Sequence, residues 1–91
     1  MKIEIDTIIK KSDTLLEANL EDSLALMSIE DGKYYGMNPI GKAVWELLDE
    51  PIEAKKIIDK LLNDFSIDAE TCQKETITFL HQLLERKMIY V

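Results

Sequence analysis

The chain has 91 residues, with 11 lysines and arginines against 18 aspartates and glutamates, a formal charge of −7 and 46% hydrophobic residues. That length fits one domain, residues 1–91, and a chain of this size can bury roughly 65% of its unfolded surface, enough for a small core without staples. The hydrophobic share excludes a disordered acidic tail, and the acidity counts against nucleic acid, whose affinity comes mainly from neutralised phosphates.

Met1–Asp6 alternates charged and aliphatic side chains and does not read as a signal peptide, and residues 3–11 form at most an extended arm. Leu15–Leu20 reads as a strand with Leu16, Ala18 and Leu20 on one face. Glu21-Asp22-Ser23 makes a polar turn. Leu24–Ile29 is a nearly all-apolar strand, and its two greasy faces place it at the centre. Asp31-Gly32 then favours a tight hairpin, because both residues tolerate positive φ. Lys33–Met37 is the third strand of an antiparallel meander.

Beyond residue 38 the period becomes helical. Asn38 can cap free N–H groups and Pro39 suits a first helical position. Ile40, Val44, Leu47 and Leu48 follow on one face, and Pro51 stops the helix. A second helix is expected from Glu53 to Phe65, with Ile57, Ile58, Leu61, Leu62 and Phe65 as its stripe. Asp68 can cap a third, over Ala69–Lys87, with Ile77, Leu80, Leu84 and Met88 inward. Ile89–Val91 can close as a short strand. The predicted fold is α+β, a three-stranded meander followed by three helices, in a winged helix-turn-helix-like layout. A duplex reader of that layout needs a basic third helix, whereas Lys74, Arg86 and Lys87 are balanced here by Glu70, Glu75 and Glu85.

Cys72 is the single cysteine, which rules out an internal disulfide and a multi-cysteine metal site and suits a cytoplasmic protein. No apolar run approaches the roughly 20 residues that span a bilayer. His81 has no second histidine or cysteine nearby and reads as a solvent-facing or edge residue, and no carboxylates pair as an acid/base couple. We therefore expect no catalytic residues, no metal site and no cofactor.

Two features can carry binding. The third helix has a second stripe, Cys72, Thr76, Phe79 and Leu83, which either joins one broad core face or lines a groove for a partner peptide. The third strand, Lys33-Tyr34-Tyr35-Gly36-Met37, can be a sheet edge that accepts an added strand, with Gly36 allowing a second backbone to approach. Its alternation also fits a plain structural role, with Tyr35 and Met37 inward and Tyr34 half exposed. Trp45 reads as a core anchor.

The block Met27-Ser28-Ile29-Glu30-Asp31-Gly32-Lys33-Tyr34-Tyr35-Gly36-Met37-Asn38-Pro39-Ile40-Gly41, leading into Val44-Trp45-Glu46-Leu47-Leu48, resembles the signature of PqqD-like peptide chaperones, the RiPP recognition elements. Cys72, Ile77-Thr78-Phe79-Leu80, Leu83 and the ending Lys87-Met88-Ile89 are similar to their third helix. The likeness spans roughly residues 6–91 and is greatest to the standalone members of lasso-peptide gene clusters. One departure is Lys87, where the family often has a glycine that takes a left-handed cap cheaply. The resemblance implies a non-catalytic protein that binds the leader segment of a ribosomal precursor peptide as an added strand. It assigns Lys33, Tyr34, Tyr35, Gly36 and Met37 to pairing, and Cys72, Thr76, Phe79, Leu83 and Arg86 to the helix wall. The partners it implies are the precursor leader peptide and the leader peptidase of the same cluster, with a cyclase acting on the core peptide afterwards, and neither nucleic acid nor membrane. Competing readings are a winged-helix DNA-binding regulator, another small protein-interaction domain such as a toxin-antidote partner, and a thiol enzyme built on Cys72.

Overall fold

The computed structural model describes residues 2–91. Strand β1 (Ile8–Lys11) precedes the meander β2 (Leu15–Asn19), β3 (Leu24–Ser28) and β4 (Tyr34–Met37). Helix α1 (Pro39–Leu47), the two-residue strand β5 (Ile52–Glu53), α2 (Ala54–Asp64), α3 (Ala69–Glu85) and β6 (Ile89–Tyr90) complete an α+β fold. The strands make two antiparallel sheets, ordered β2-β3-β4 and β5-β1-β6. The expected N-terminal arm is thus in part the middle strand of a second sheet. Two hydrogen bonds extend that tie: Ala54 N–H donates to the Thr7 carbonyl at 2.9 Å and Lys55 N–H to the Ile5 carbonyl at 2.7 Å. His81 is half-buried, not solvent-facing, and its Nε2 accepts from the buried Ile3 N–H at 3.3 Å.

β3 is central, as its two apolar faces require. Leu24 and Leu26 are buried toward the helices and pair with Met37 and Tyr35. On the other face Leu16 opposes Met27, which opposes Tyr34, and Ala18 opposes Ala25, which opposes Gly36. This face meets solvent, so Leu16, Leu20 and Tyr34 are all exposed. The Asp-Gly hairpin is looser than expected. Ser28 N–H donates to the Lys33 carbonyl at 2.9 Å, which closes a four-residue loop, and Gly32 N–H returns to the Ser28 carbonyl at 2.8 Å. Only Gly32 takes the left-handed conformation, with φ of 69°. Asp31 works through its side chain, accepting from Lys33 N–H at 3.0 Å, and this bond holds its carboxyl below the usual carboxylate range.

Asn38 caps α1, accepting from Gly41 N–H at 2.8 Å, with Pro39 in the first turn. Gly41, Val44, Trp45 and Leu48 face the core, and Trp45 is fully buried. Ile40, expected on that face, is exposed instead. The core therefore sees the helix one position further round, because Gly41 and Trp45 are needed there. A Cβ at Gly41 would lie 3.2 Å from Met37 Cβ and 3.4 Å from Phe79 Cζ, so its glycine lets β4, α1 and α3 close together. Asp68 caps α3 through Thr71 N–H at 3.1 Å. Lys87 does adopt φ of 59° beyond α3. Lys87 N–H donates to the Leu84 carbonyl and Met88 N–H to the Leu83 carbonyl, the paired bonds of a Schellman cap. Leu83 and Met88, the residues such a cap brings together, are both fully buried.

Candidate functional site

Hydrogen-bond phase decides which main-chain groups of the meander are free. In an antiparallel ladder the bonded residues alternate along each strand. Ser28 bonds to Lys33, and the same register carries Leu26 opposite Tyr35 and Leu24 opposite Met37. Lys33, Tyr35 and Met37 therefore direct their N–H and C=O groups at β3. Tyr34 and Gly36 direct theirs away, to the open edge of the sheet. β4 is an edge strand, so these four groups have no strand partner.

Beside that edge lies a cavity of about 270 Å³. Gly36, Met37 and Asn38 supply one wall, Ile40, Gly41 and Val44 of α1 the end, and Cys72, Glu75, Thr76 and Phe79 of α3 the opposite wall. The lining is mostly apolar. Its buried polar atoms, Thr76 Oγ1 and Cys72 Sγ, lie 3.9 Å apart, and Cys72 Sγ is 3.9 Å from the Ile58 carbonyl. Cys72 is buried and packed. At the other end of the edge, the Arg86 guanidinium sits 5.0 Å over the Tyr35 ring, bridging α3's end to β4.

The residues singled out from sequence fall into three groups. Gly36, Met37, Cys72, Thr76 and Phe79 meet at the cavity. Tyr34, Tyr35 and Arg86 lie along the edge beyond it, with Lys33 exposed just before β4; Tyr34 is 75% exposed. Leu83 is fully buried and lines no part of the cavity. The second stripe of α3 is thus largely core: Cys72, Thr76 and Leu83 are buried, and Phe79 alone is half-buried. Sequence reasoning missed the end wall from Asn38, Ile40, Gly41 and Val44, and also Glu75. The signal was present, since an Asn-Pro start directly after the strand places the first turn of α1 at the strand's end.

The model for the family described as coenzyme PQQ synthesis protein D (PqqD) matches residues 23–89, which include the meander edge, the end wall and α3. The chain belongs to the PqqD family. Among solved structures, the chain is similar to TbiB1 in complex with the TbiA(beta) leader peptide. That likeness has a TM-score of 0.82 at 27% identity, and covers 90% of this chain and 98% of the other. A comparison with curated protein sequences gives no match. Among the described residues of this PqqD-family chain, no helix is long and apolar enough to cross a membrane.

Proposed function

We propose that this chain binds the leader segment of a ribosomally made precursor peptide, without catalysing a reaction itself, in lasso-peptide biosynthesis. The observation that carries the reading is the similarity, over nine-tenths of the chain, to a protein whose structure is a leader-peptide complex. The geometry supports a mechanism. The leader adds as a strand to β4, donating to and accepting from Tyr34 and Gly36 main-chain groups. Its alternate side chains enter the cavity against Phe79, Thr76 and Cys72. Lys33, Tyr35 and Met37 shape the strand side, Arg86 closes the far end, and Leu83 supports the wall from behind.

A free leader is disordered, so binding must offset its ordering. Main-chain pairing supplies affinity that depends little on sequence, and the cavity selects the side chain that fills it. Cleavage and ring closure are then done by other proteins, a leader peptidase and a cyclase, to which this chain presents the precursor.

Titration of the full chain with a labelled leader peptide from a neighbouring precursor gene tests this. Micromolar or tighter binding, weakened by Phe79→Ala, is expected. Absence of binding to every local precursor would overturn it.

A further inference from the structure

We infer that the cleft reads the order of charges along its peptide: a basic residue toward the peptide's N-terminal end, an apolar anchor, then an acidic residue. The inference rests on strand addition at β4 and adds the class of sequence recognised. Every pairing in the meander is antiparallel, so an added strand runs antiparallel to β4 to keep the better bond geometry. Opposed residues in such a pair share a face. The peptide residue opposite Met37 therefore enters the cavity, while the one opposite Tyr35, two residues nearer the peptide's C-terminus, arrives beside Arg86.

The charges at the two ends are opposite and uncommitted. Among the described residues, ion pairs join Lys11 to Glu17 and Asp49, and Lys60 to Asp64; Arg86 and Glu75 are in none. Arg86 lies over Tyr35, which holds the guanidinium in place while leaving its N–H edge for a carboxylate. An exposed arginine without an acidic partner is unexpected in a chain of net charge −7. Lys33 is less free, because Asp31 lies beside it. Glu75 lines the cavity at the opposite end. The two are eleven positions apart at α3 and its C-cap, about 16 Å at ~1.5 Å per residue, which an extended peptide spans in about five residues.

The test selects ten-residue random peptides, displayed on phage, against the immobilised full chain, and repeats the selection with Arg86→Glu and with Glu75→Lys. The expected result is an enriched apolar anchor with Asp or Glu two residues after it and Lys or Arg before it. Arg86→Glu should turn the acidic preference basic, and Glu75→Lys should turn the basic preference acidic, with the anchor retained in both. An enriched synthetic peptide should bind about tenfold tighter than its charge-swapped version at low salt, and Arg86→Glu should reverse that order. An anchor enriched without charge preference, or a preference unmoved by both variants, overturns the inference and leaves strand addition standing. Enrichment of no peptide at all overturns both. Thermal melts of the variants, at wild-type midpoints within a few degrees, exclude misfolding as the cause.

Discussion

Replacing Gly36 by proline should weaken peptide binding while leaving the fold intact, whereas Tyr35→Pro should cost folding stability. The difference follows from ladder phase. Gly36 N–H faces the open edge, so a proline there breaks no bond to β3, and edge strands tolerate proline at such positions. Tyr35 N–H faces β3 opposite Leu26, so the same change deletes a ladder bond inside the sheet. In Gly36→Pro, a peptide carbonyl left unpaired against the proline ring loses about 1–3 kcal/mol, roughly five- to 150-fold in Kd, before any clash is counted. Tyr35→Pro should cost about the same amount in folding stability instead. Fluorescence anisotropy with a labelled leader peptide reads the first effect and urea unfolding the second. Unchanged affinity in Gly36→Pro would refute strand addition at this edge. Equal stability of the two variants would refute the assigned phase.

Lys87→Gly should stabilise the protein by about 1 kcal/mol, since only the left-handed φ of 59° opposes a side chain there. At this size that raises the melting temperature by roughly 4–8 °C in calorimetry. Trp45→Ala should lose about 3–5 kcal/mol in urea unfolding, because the largest fully buried side chain leaves a void under α1's last turn. Gly41→Ala should lower peptide affinity more than stability, as its Cβ adds a methyl to the cavity's end wall and crowds Met37 Cβ at 3.2 Å; anisotropy and melting together separate the two. Asp31 has a depressed folded pKa, so the stability it contributes is present above the unfolded carboxylate range and lost as pH falls through the lower, folded value. Asp31→Asn should therefore flatten the acid limb of stability against pH below about 4.

The parts of the fold that were legible share a local cause. Asn38-Pro39 and Asp68 announce helices because each cap satisfies backbone donors within three residues. The greasy run at Leu24–Ser28 announces a central strand because it pairs on both sides with strands close in sequence. Of the second sheet, Ile89–Tyr90 was legible as a short closing strand, but β5 and the pairing of both with β1 were not, since each holds two residues and meets β1 across some 40 to 80 positions of chain. Nothing local to Ile52-Glu53 marks a strand. The role of His81 was not legible for the same reason: its partner is the Ile3 N–H, 78 positions away. On α3, spacing put Ile77, Leu80, Leu84 and Met88 inward and left the second stripe open; Leu80 and Met88 are buried, but Ile77 and Leu84 are only half-buried and most of the second stripe is core. Which side faces inward depends on how α2 and β4 flank the helix, and it places Leu83 in the core and Phe79 at the rim.

Only one of the meander's two edges suits a peptide. The phase of the β2–β3 ladder leaves Leu15, Glu17 and Asn19 main-chain groups free on β2, as Tyr34 and Gly36 are free on β4. Ordering four peptide residues costs about 4–8 kcal/mol of backbone entropy. Four hydrogen bonds return about 2–6 kcal/mol, which leaves either edge near or below balance on pairing alone. Burial of one large apolar side chain adds roughly 1.5–3 kcal/mol. β4 offers that burial in a mostly apolar cavity, because α3 and the first turn of α1 stand beside it, whereas the hollow beside β2 is lined largely by charged residues, Lys10, Lys11, Asp13, Glu17 and Asp49, and β2's own residues are exposed beyond Leu15. The decisive element is thus the helix wall and not the strand. A variant that fills the cavity, Thr76→Phe, should abolish binding with every β4 main-chain group still available. Retained affinity in a folded Thr76→Phe protein would show that pairing suffices and that the wall is dispensable.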